Sequence, residues 1–181
     1  MNILARHTLD IPASLDNKSL KQQLGQHLSR LPRRVDRLTW QCLLAAAPLK
    51  PHLQSACGIY LASHYPSRDT MNSLLNSVCI DGLQPKPFEF VNSVSNAAGF
   101  YLAQLLELEG PNLFLGAHPD IWQQLLQLAA CDLATGSARQ ALLIHCMEDS
   151  AGNARLHALL TTTGTDTDGG SITELEHSTP F

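Results

Sequence analysis

Two pairs of neighbouring residues have side chains that could carry out chemistry. His118 precedes Asp120 by two positions, so an imidazole and a carboxylate could act as base and acid, and His64 follows Ser63, a possible nucleophile. Neighbours in sequence do not by themselves face each other, and the sequence contains no G-x-S-x-G, H-E-x-x-H or C-x-x-C segment. These residues do not supply the complete set of groups that an enzyme acting alone needs.

The cysteines indicate reduced thiols rather than disulfides or a metal site. There are five, an odd number, and their spacing is not that of metal ligands. Each lies among apolar neighbours, which predicts small buried side chains. They are Cys42, Cys57, Cys79, Cys131 and Cys146. The segment 166–169 (DTDG) suggests a calcium loop, but the remaining ligands are missing, so no metal or cofactor is expected.

Length and composition fit one packed domain. The chain has 181 residues, 44% of them hydrophobic, and we predict a domain at 1–163 followed by a flexible tail at 164–181. A net charge of -4 argues against a nucleic-acid binder. No run is long enough for a membrane span and no signal peptide is evident, so a cytoplasmic location is expected.

The elements that must position these residues alternate between strands and helices, which predicts an α/β fold. Asp16 is expected to cap an early helix. Gly110, through its left-handed dihedrals, and Gly136 are expected to end two later helices. Residues 81–90 are expected to form a loop. The predicted strands are 6–11, 57–62, 113–117, 141–147 and an antiparallel edge strand at 156–163; the predicted helices are 16–28, 35–47, 67–80, 93–108 and 120–135.

The stretch from Phe90 to Pro119 carries a family resemblance. Its matching residues are Pro87, Phe90, Val94, Asn96, Ala97, Ala98 and Gly99, followed by Leu108, Gly110, Pro111 and Asn112. In this pattern the chain resembles the N-terminal half of the β-ketoacyl synthase family of the thiolase superfamily, over roughly residues 30–150. The resemblance implies half of a thiolase fold: a mixed, mostly parallel five-stranded sheet with helices on both faces. Alone, such a half would expose small-residue faces of helices 93–108 and 119–135.

The family's nucleophile has no counterpart in this sequence. In the family the reactive cysteine lies seven residues after the asparagine matched by Asn112, which is Pro119 here, and counting back from Gly136 reaches the same residue. Proline cannot form the acyl-thioester, and neither can its neighbours His118 and Asp120. The family's catalytic histidines and lysine belong to a C-terminal half that this sequence does not match. The resemblance therefore implies a chain that is not an enzyme by itself.

The resemblance implies a chain-length-factor-like subunit that pairs with a full-length ketosynthase, most similar to the compact partner subunits of aryl polyene clusters, in polyketide or fatty-acid-like biosynthesis. The tunnel or chain-length candidates are Thr70, Met71, Leu74, Val78 and Phe114. The dimer-interface candidates are Asn96, Leu113, Phe114, Leu115 and Gly116. A stripe of Met and Leu at helical spacing also fits ordinary core packing, so that alternative stays open.

Four arginines between residues 30 and 37 could form a docking patch for an acidic acyl carrier protein, or simply a solvated helix start. They are Arg30, Arg33, Arg34 and Arg37. Two other functions also stay open. The chain could be a self-associating scaffold or carrier-protein-binding module, or a small acyltransferase or thioesterase that uses His118 and Asp120.

Overall fold

The structure is a computed structural model that describes residues 1–163. The strands are β1 Asn2–Ile11, β2 Cys57–Ser63, β3 Asn112–Gly116, β4 Gln140–Glu148 and β5 Ala154–Thr162. The helices are α1 Asn17–Leu24, α2 Arg37–Ala46, α3 Arg68–Leu75, α4 Pro87–Asn92, α5 Ala97–Leu106 and α6 Ile121–Thr135. A 3-10 helix at Ala47–His52 continues α2, and a π-helical turn at Asn76–Ile80 continues α3. The predicted tail, with its segment 166–169, lies outside the described residues.

The strands form one sheet in the order β1-β5-β4-β2-β3. β2 pairs in parallel with both β3 and β4, whereas β5 runs antiparallel to both β4 and β1. Four of these five strands therefore point the same way, and the prediction of a mixed, mostly parallel sheet is confirmed. The strand predicted at 156–163 corresponds to β5, and the prediction that it lies at an edge of the sheet is wrong. β1 pairs with β5 along its length, from Asn2 opposite Thr162 to Ile11 opposite Ala154.

Each face of the sheet has its own hydrophobic core. On one face α1, α2 and α5 pack against inward side chains such as Leu142 and Ile144, and α2 is buried from Leu38 to Ala46. On the other face α6 packs Trp122 and Leu125 against the sheet. The prediction of helices on both faces is confirmed.

Short polar side chains fix where the first two helices begin. The Asp16 carboxylate accepts from Ser19 N–H at 2.8 Å, so the predicted cap of α1 is confirmed. The Asp36 carboxylate accepts from Leu38 N–H at 3.0 Å, and α2 begins at Arg37 rather than at residue 35 because Asp36 is extended. The negative charge of a capping carboxylate is also stabilised by the positive end of the helix dipole.

The segment predicted as a loop, 81–90, contains the start of a helix. Pro87 is the first residue of α4, where its missing N–H costs nothing, and the Glu89 side chain accepts from Lys86 N–H at 2.8 Å. The prolines that suggested a loop in the sequence thus begin a helix instead.

Gly110 has a different role from the one predicted. α5 ends at Leu106, and the left-handed residue after it is Glu107, with φ 61°. Gly110 itself is not left-handed. It lies against β2, where an added Cβ would be 2.5 Å from the carbonyl oxygen of Cys57. Glycine is needed there because two backbones meet.

Three of the five cysteines are buried as predicted: Cys42, Cys57 and Cys146. The prediction is wrong for Cys79 and Cys131, which are exposed because they lie on the outward sides of the π-helical turn and of α6.

The longest helix among the described residues is α6, with 15 residues. No helix within 1–163 combines the length and the apolar composition needed to cross a membrane.

Candidate functional site

An exposed helical segment carries most of the apolar surface. We call residues 68–94, which include α3, the π-helical turn and α4, the apolar arm. Neither α3 nor the turn buries a single residue. Nine of the fifteen large apolar side chains that are exposed within residues 1–163 belong to this arm: Met71, Leu75, Val78, Ile80, Leu83, Phe88, Phe90, Val91 and Val94. Ile80 and Phe90 are 76% and 71% exposed. Such a concentration is typical of a binding surface.

The predicted tunnel residues divide into two groups. Met71 and Val78 are exposed, and Leu74 is half-buried, so the alternative that this stripe is ordinary core is wrong. Thr70 instead points inward: its N–H and its hydroxyl both donate to the Asp36 carboxylate, at 2.9 and 2.8 Å.

The predicted interface residues Leu113 to Gly116 lie on β3, an edge strand that pairs only with β2 within the described chain. Phe114 packs on the α2 side of the sheet and Leu115 on the α6 side, whereas Leu113 is 38% exposed. Gly116 is also exposed. An edge strand presents a row of unpaired backbone N–H and C=O groups, which can bind a strand of another chain.

The start of α5 is tied to the start of β3. The side-chain amide of Asn96 donates to the carbonyl and the side-chain oxygen of Asn112, at 3.3 and 3.2 Å. An added Cβ at Gly99 would lie 2.4 Å from that same Asn112 oxygen, so only glycine fits without a shift. The family-like motif therefore fixes the edge strand relative to its preceding helix.

The expectation of two exposed small-residue helix faces is wrong for α5, whereas α6 exposes the small residues Cys131 and Ala134 together with glutamines. In α5, Ala97, Ala98 and Gly99 are buried in this chain's own core. In α6, the exposed side chains include Gln123, Gln124 and Gln127, which can hydrogen bond to water. The apolar surface lies on the arm instead.

The four predicted docking arginines differ in exposure and in side-chain contacts. Arg30 and Arg33 are exposed. Arg34 is exposed too, but its guanidinium lies over the Phe88 ring, 5.4 Å from the centroid. Arg37 is half-buried and donates to the carbonyls of Leu15 and Pro12, at 2.7 and 3.2 Å.

Pro119, which the sequence resemblance matches to the nucleophile, carries no group that could attack a thioester. Pro119 and Asp120 are exposed just before α6. The N–H of Asp120 donates to Nδ1 of His118 at 3.2 Å, so the contact between these residues involves the Asp120 backbone rather than its carboxylate. Ser63 is buried and its hydroxyl accepts from Tyr65 N–H, whereas His64 is exposed on the opposite face.

Two histidines beside the start of α6 were not singled out from the sequence. His145 of β4 pairs directly with His157 of β5, and Trp122 meets the His145 ring edge-on, with centroids 5.7 Å apart. Burial, with a smaller contribution from His64 and His157, lowers the pKa of His145 to about 4. Only the alternation along β4 and β5 could have indicated that these side chains share a face. Within residues 1–163 no group of three or more His, Cys, Asp or Glu side chains is arranged to hold a metal ion.

The sequence matches no known family model and no curated protein. Among solved structures it is similar to the ishigamide ketosynthase/chain length factor, with a TM-score of 0.67 and 17% identity over 84% of this chain and 50% of that one. It is also similar to the ketosynthase ApeO in complex with its chain length factor ApeC from Xenorhabdus doucetiae, with a TM-score of 0.64 and 13% identity over 91% and 79% of the two chains. A third similar structure is the AntDE:AntF complex of a type II PKS acyl-carrier protein with its ketosynthase, with a TM-score of 0.54 and 13% identity over 87% and 61%.

The chain has the fold of ketosynthases and chain length factors. The thiolase-like fold that the sequence resemblance implied is thereby confirmed. It spans half the length of the first of these matched chains and 79% of the second. At these identities the likeness concerns the fold.

Proposed function

We propose that the chain is a non-catalytic, chain-length-factor-like subunit of a heterodimeric type II β-ketoacyl synthase. Its partner is a full-length ketosynthase that supplies the reactive cysteine and histidines. The observation that carries the proposal is the apolar arm, and the free edge of β3 supports it as a second surface for pairing. Similar structures include ketosynthases together with chain length factors.

The size of the arm supports a stable complex. Burying the exposed part of each large apolar side chain contributes about 1 kcal/mol, since part of each is already buried. Nine such side chains give a total of the same order as the cost of association, about 4–15 kcal/mol. Backbone pairing along β3 then adds both affinity and a defined register.

The absence of a nucleophile at Pro119 supports a structural role. A thiolate is the nucleophile in acyl transfer to cysteine, and proline has no group that can replace it. In the proposed complex, Met71, Leu74 and Val78 line the partner's acyl tunnel and limit the length of the product.

The proposal also covers the carrier protein, the type of product and the location of the complex. Arg30 and Arg33 provide exposed positive charge for an acyl carrier protein, whose acidic surface they would attract. The products belong to the polyketide or aryl polyene type, and the complex is cytoplasmic, consistent with five cysteines and no disulfide-type pattern.

The test is co-expression with a cysteine-bearing ketosynthase from the same genome, followed by size-exclusion chromatography with mass determination. We expect a one-to-one complex. We also expect the ketosynthase to be inactive or insoluble when it is expressed without this chain. A stable monomer that ignores the ketosynthase would overturn the proposal. A homo-oligomer that excludes the ketosynthase would favour the scaffold alternative.

A further inference from the structure

The two helices of the apolar arm are held by the same short loop. We call residues 34–37, which lead into α2 and include its first residue, the anchor loop. Asp36 binds α3, and Arg34 binds α4 through both its backbone and its side chain. The position of the arm relative to the core therefore depends in part on two residues, Asp36 and Arg34, that belong to neither helix.

The contact to α3 is made by a buried carboxylate. Asp36 is 6% exposed, and its three hydrogen bonds come from Leu38 N–H, Thr70 N–H and the Thr70 hydroxyl. Burial raises the pKa of this carboxyl, while the hydrogen bonds oppose that rise. A buried charge satisfied only by such donors is costly to disturb, because removing one donor leaves part of the charge uncompensated.

The contact to α4 is made by a residue with strained backbone. Arg34 has φ 55°, in the left-handed region that non-glycine residues rarely adopt. Asn92 donates from its side-chain amide to the Arg34 carbonyl, and the Arg34 guanidinium lies over Phe88. Both contacts join the loop to α4, and they offset the strain of the left-handed backbone.

The loop itself is fixed to the core. Arg37 donates to carbonyls in the turn after β1, and Asp36 caps α2, which is buried from Leu38 onward. The arm, in contrast, has little packing of its own, because α3 and the π-helical turn bury none of their residues. Its other attachment is Arg68, which forms an ion pair with Glu148 and donates to the Ser150 carbonyl at 2.8 Å.

We propose that the anchor loop positions the apolar arm, with Asp36 and Arg34 as the positioning residues that decide how the arm is presented to the partner. This inference rests on the proposed function for its consequence: a shifted arm changes the acyl tunnel, and so the length of the product. The positioning itself is a property of this chain and can be measured without the partner.

Hydrogen exchange on the isolated chain tests the positioning. Asp36→Asn keeps a side chain that can cap α2 but turns an amide N–H toward the Thr70 donors. We expect exchange in residues 68–80 to rise about tenfold, which corresponds to the loss of about 1.4 kcal/mol of local stability, with α2 unchanged. Arg34→Gly relieves the strained backbone and removes the guanidinium, and should raise exchange in α4 alone. Lys21→Gln, at an exposed lysine of α1, is the control and should change neither helix.

Two further variants keep the proposal falsifiable if Asp36→Asn does not fold. Thr70→Val removes only the hydroxyl donor, and Asn92→Leu removes only the amide that holds the Arg34 carbonyl; each should loosen its own helix. Unchanged exchange across 68–94 in both of these variants would overturn the proposal.

The reconstituted ketosynthase complex tests the consequence. We expect Asp36→Asn and Thr70→Val to alter the distribution of product lengths, while the Lys21→Gln complex retains the wild-type distribution. Altered exchange with unchanged product lengths would overturn the link to the tunnel and leave the positioning intact. Failure of the wild-type chain to bind the ketosynthase would instead count against the proposed function.

Discussion

The imidazole of His145 and the indole of Trp122 meet edge-to-face at 83°, inside the core between the sheet and α6. Neither ring nitrogen of His145 has a hydrogen-bond partner among the described residues. The histidine is therefore held neutral in an apolar contact, and its charged form is strongly disfavoured.

We expect acid to destabilise the fold through His145. Its pKa is lowered from an ordinary value of 6.5 to about 4, so in this interval the unfolded chain binds a proton that the folded chain does not. The contribution of neutral His145 to the free energy of unfolding is complete above pH 6.5. It falls toward pH 4, by up to about 3 kcal/mol.

His145→Phe should remove much of this loss and leave the free energy of unfolding at pH 7.5 equal to or greater than that of the wild type, as measured by urea unfolding at several pH values. His27→Gln, at an exposed histidine, should preserve the wild-type pH dependence. Identical pH profiles for His145→Phe and wild type would contradict this assignment.

We expect Gly110→Ala to destabilise the fold strongly. The new Cβ would lie 2.5 Å from the carbonyl oxygen of Cys57 and 2.6 Å from the N of Gly58, both backbone atoms that cannot rotate away. A cost of about 2–3 kcal/mol follows, or a drop of roughly 5–10 °C in Tm. Gly116→Ala is the control, because nothing lies within 4 Å of its added Cβ. Equal Tm values for the two variants would show that the close approach at Gly110 relaxes freely.

We expect charges on the apolar arm to prevent assembly. Phe90→Asp and Ile80→Asp place a carboxylate in a surface that must lose water on binding, and each should raise the Kd for the ketosynthase at least about tenfold. The folded chain should keep its thermal stability, because both side chains are already exposed. Leu4→Asp is the matched control, since Leu4 is 46% exposed on β1, at the other edge of the sheet. Titration by calorimetry measures the effect, and equal losses at all three sites would argue against a specific interface.

We expect Leu74 to influence product length. It is half-buried on α3, one helical turn after Thr70, whose N–H donates to Asp36 of the anchor loop. In the proposed complex, Leu74→Ala should enlarge the tunnel and lengthen the product, while Leu74→Trp should shorten it. Mass spectrometry of the products of the reconstituted pair gives the answer. Unchanged lengths in both variants would remove Leu74 from the tunnel.

We expect no thioester hydrolysis by the purified chain above the rate in buffer. His118 Nδ1 accepts from the Asp120 backbone, so no carboxylate orients the imidazole as a base there. A thiol-release assay with an acyl-pantetheine thioester measures the rate. Activity that is present in the wild type and lost in His118→Ala would restore the acyltransferase or thioesterase alternative.

The sequence predicted local features well where one residue decides them. Asp16 caps α1, and Gly136 follows α6 in a left-handed conformation, because capping is a short-range interaction. The position of β5 inside the sheet could not be predicted, since strand order depends on contacts between residues about 150 positions apart. The exposure of the arm was also hidden, because Met71, Leu74 and Val78 show the same periodicity on a binding surface as in a core. The contact between the anchor loop and the arm could not be predicted either, because nothing in the sequence indicates that Asp36 lies beside Thr70.

The pairing of β1 with β5 also constrains how the chain is made. β1 is synthesised before the other strands of the described fold, but its partner residues, Ala154 to Thr162, are among the last of that fold to be synthesised. During that interval β1 has no strand beside it, and a nascent strand with free backbone groups is prone to pair wrongly. Completion of the sheet is therefore a late, long-range step in folding, because it requires β1 to pair with residues about 150 positions away.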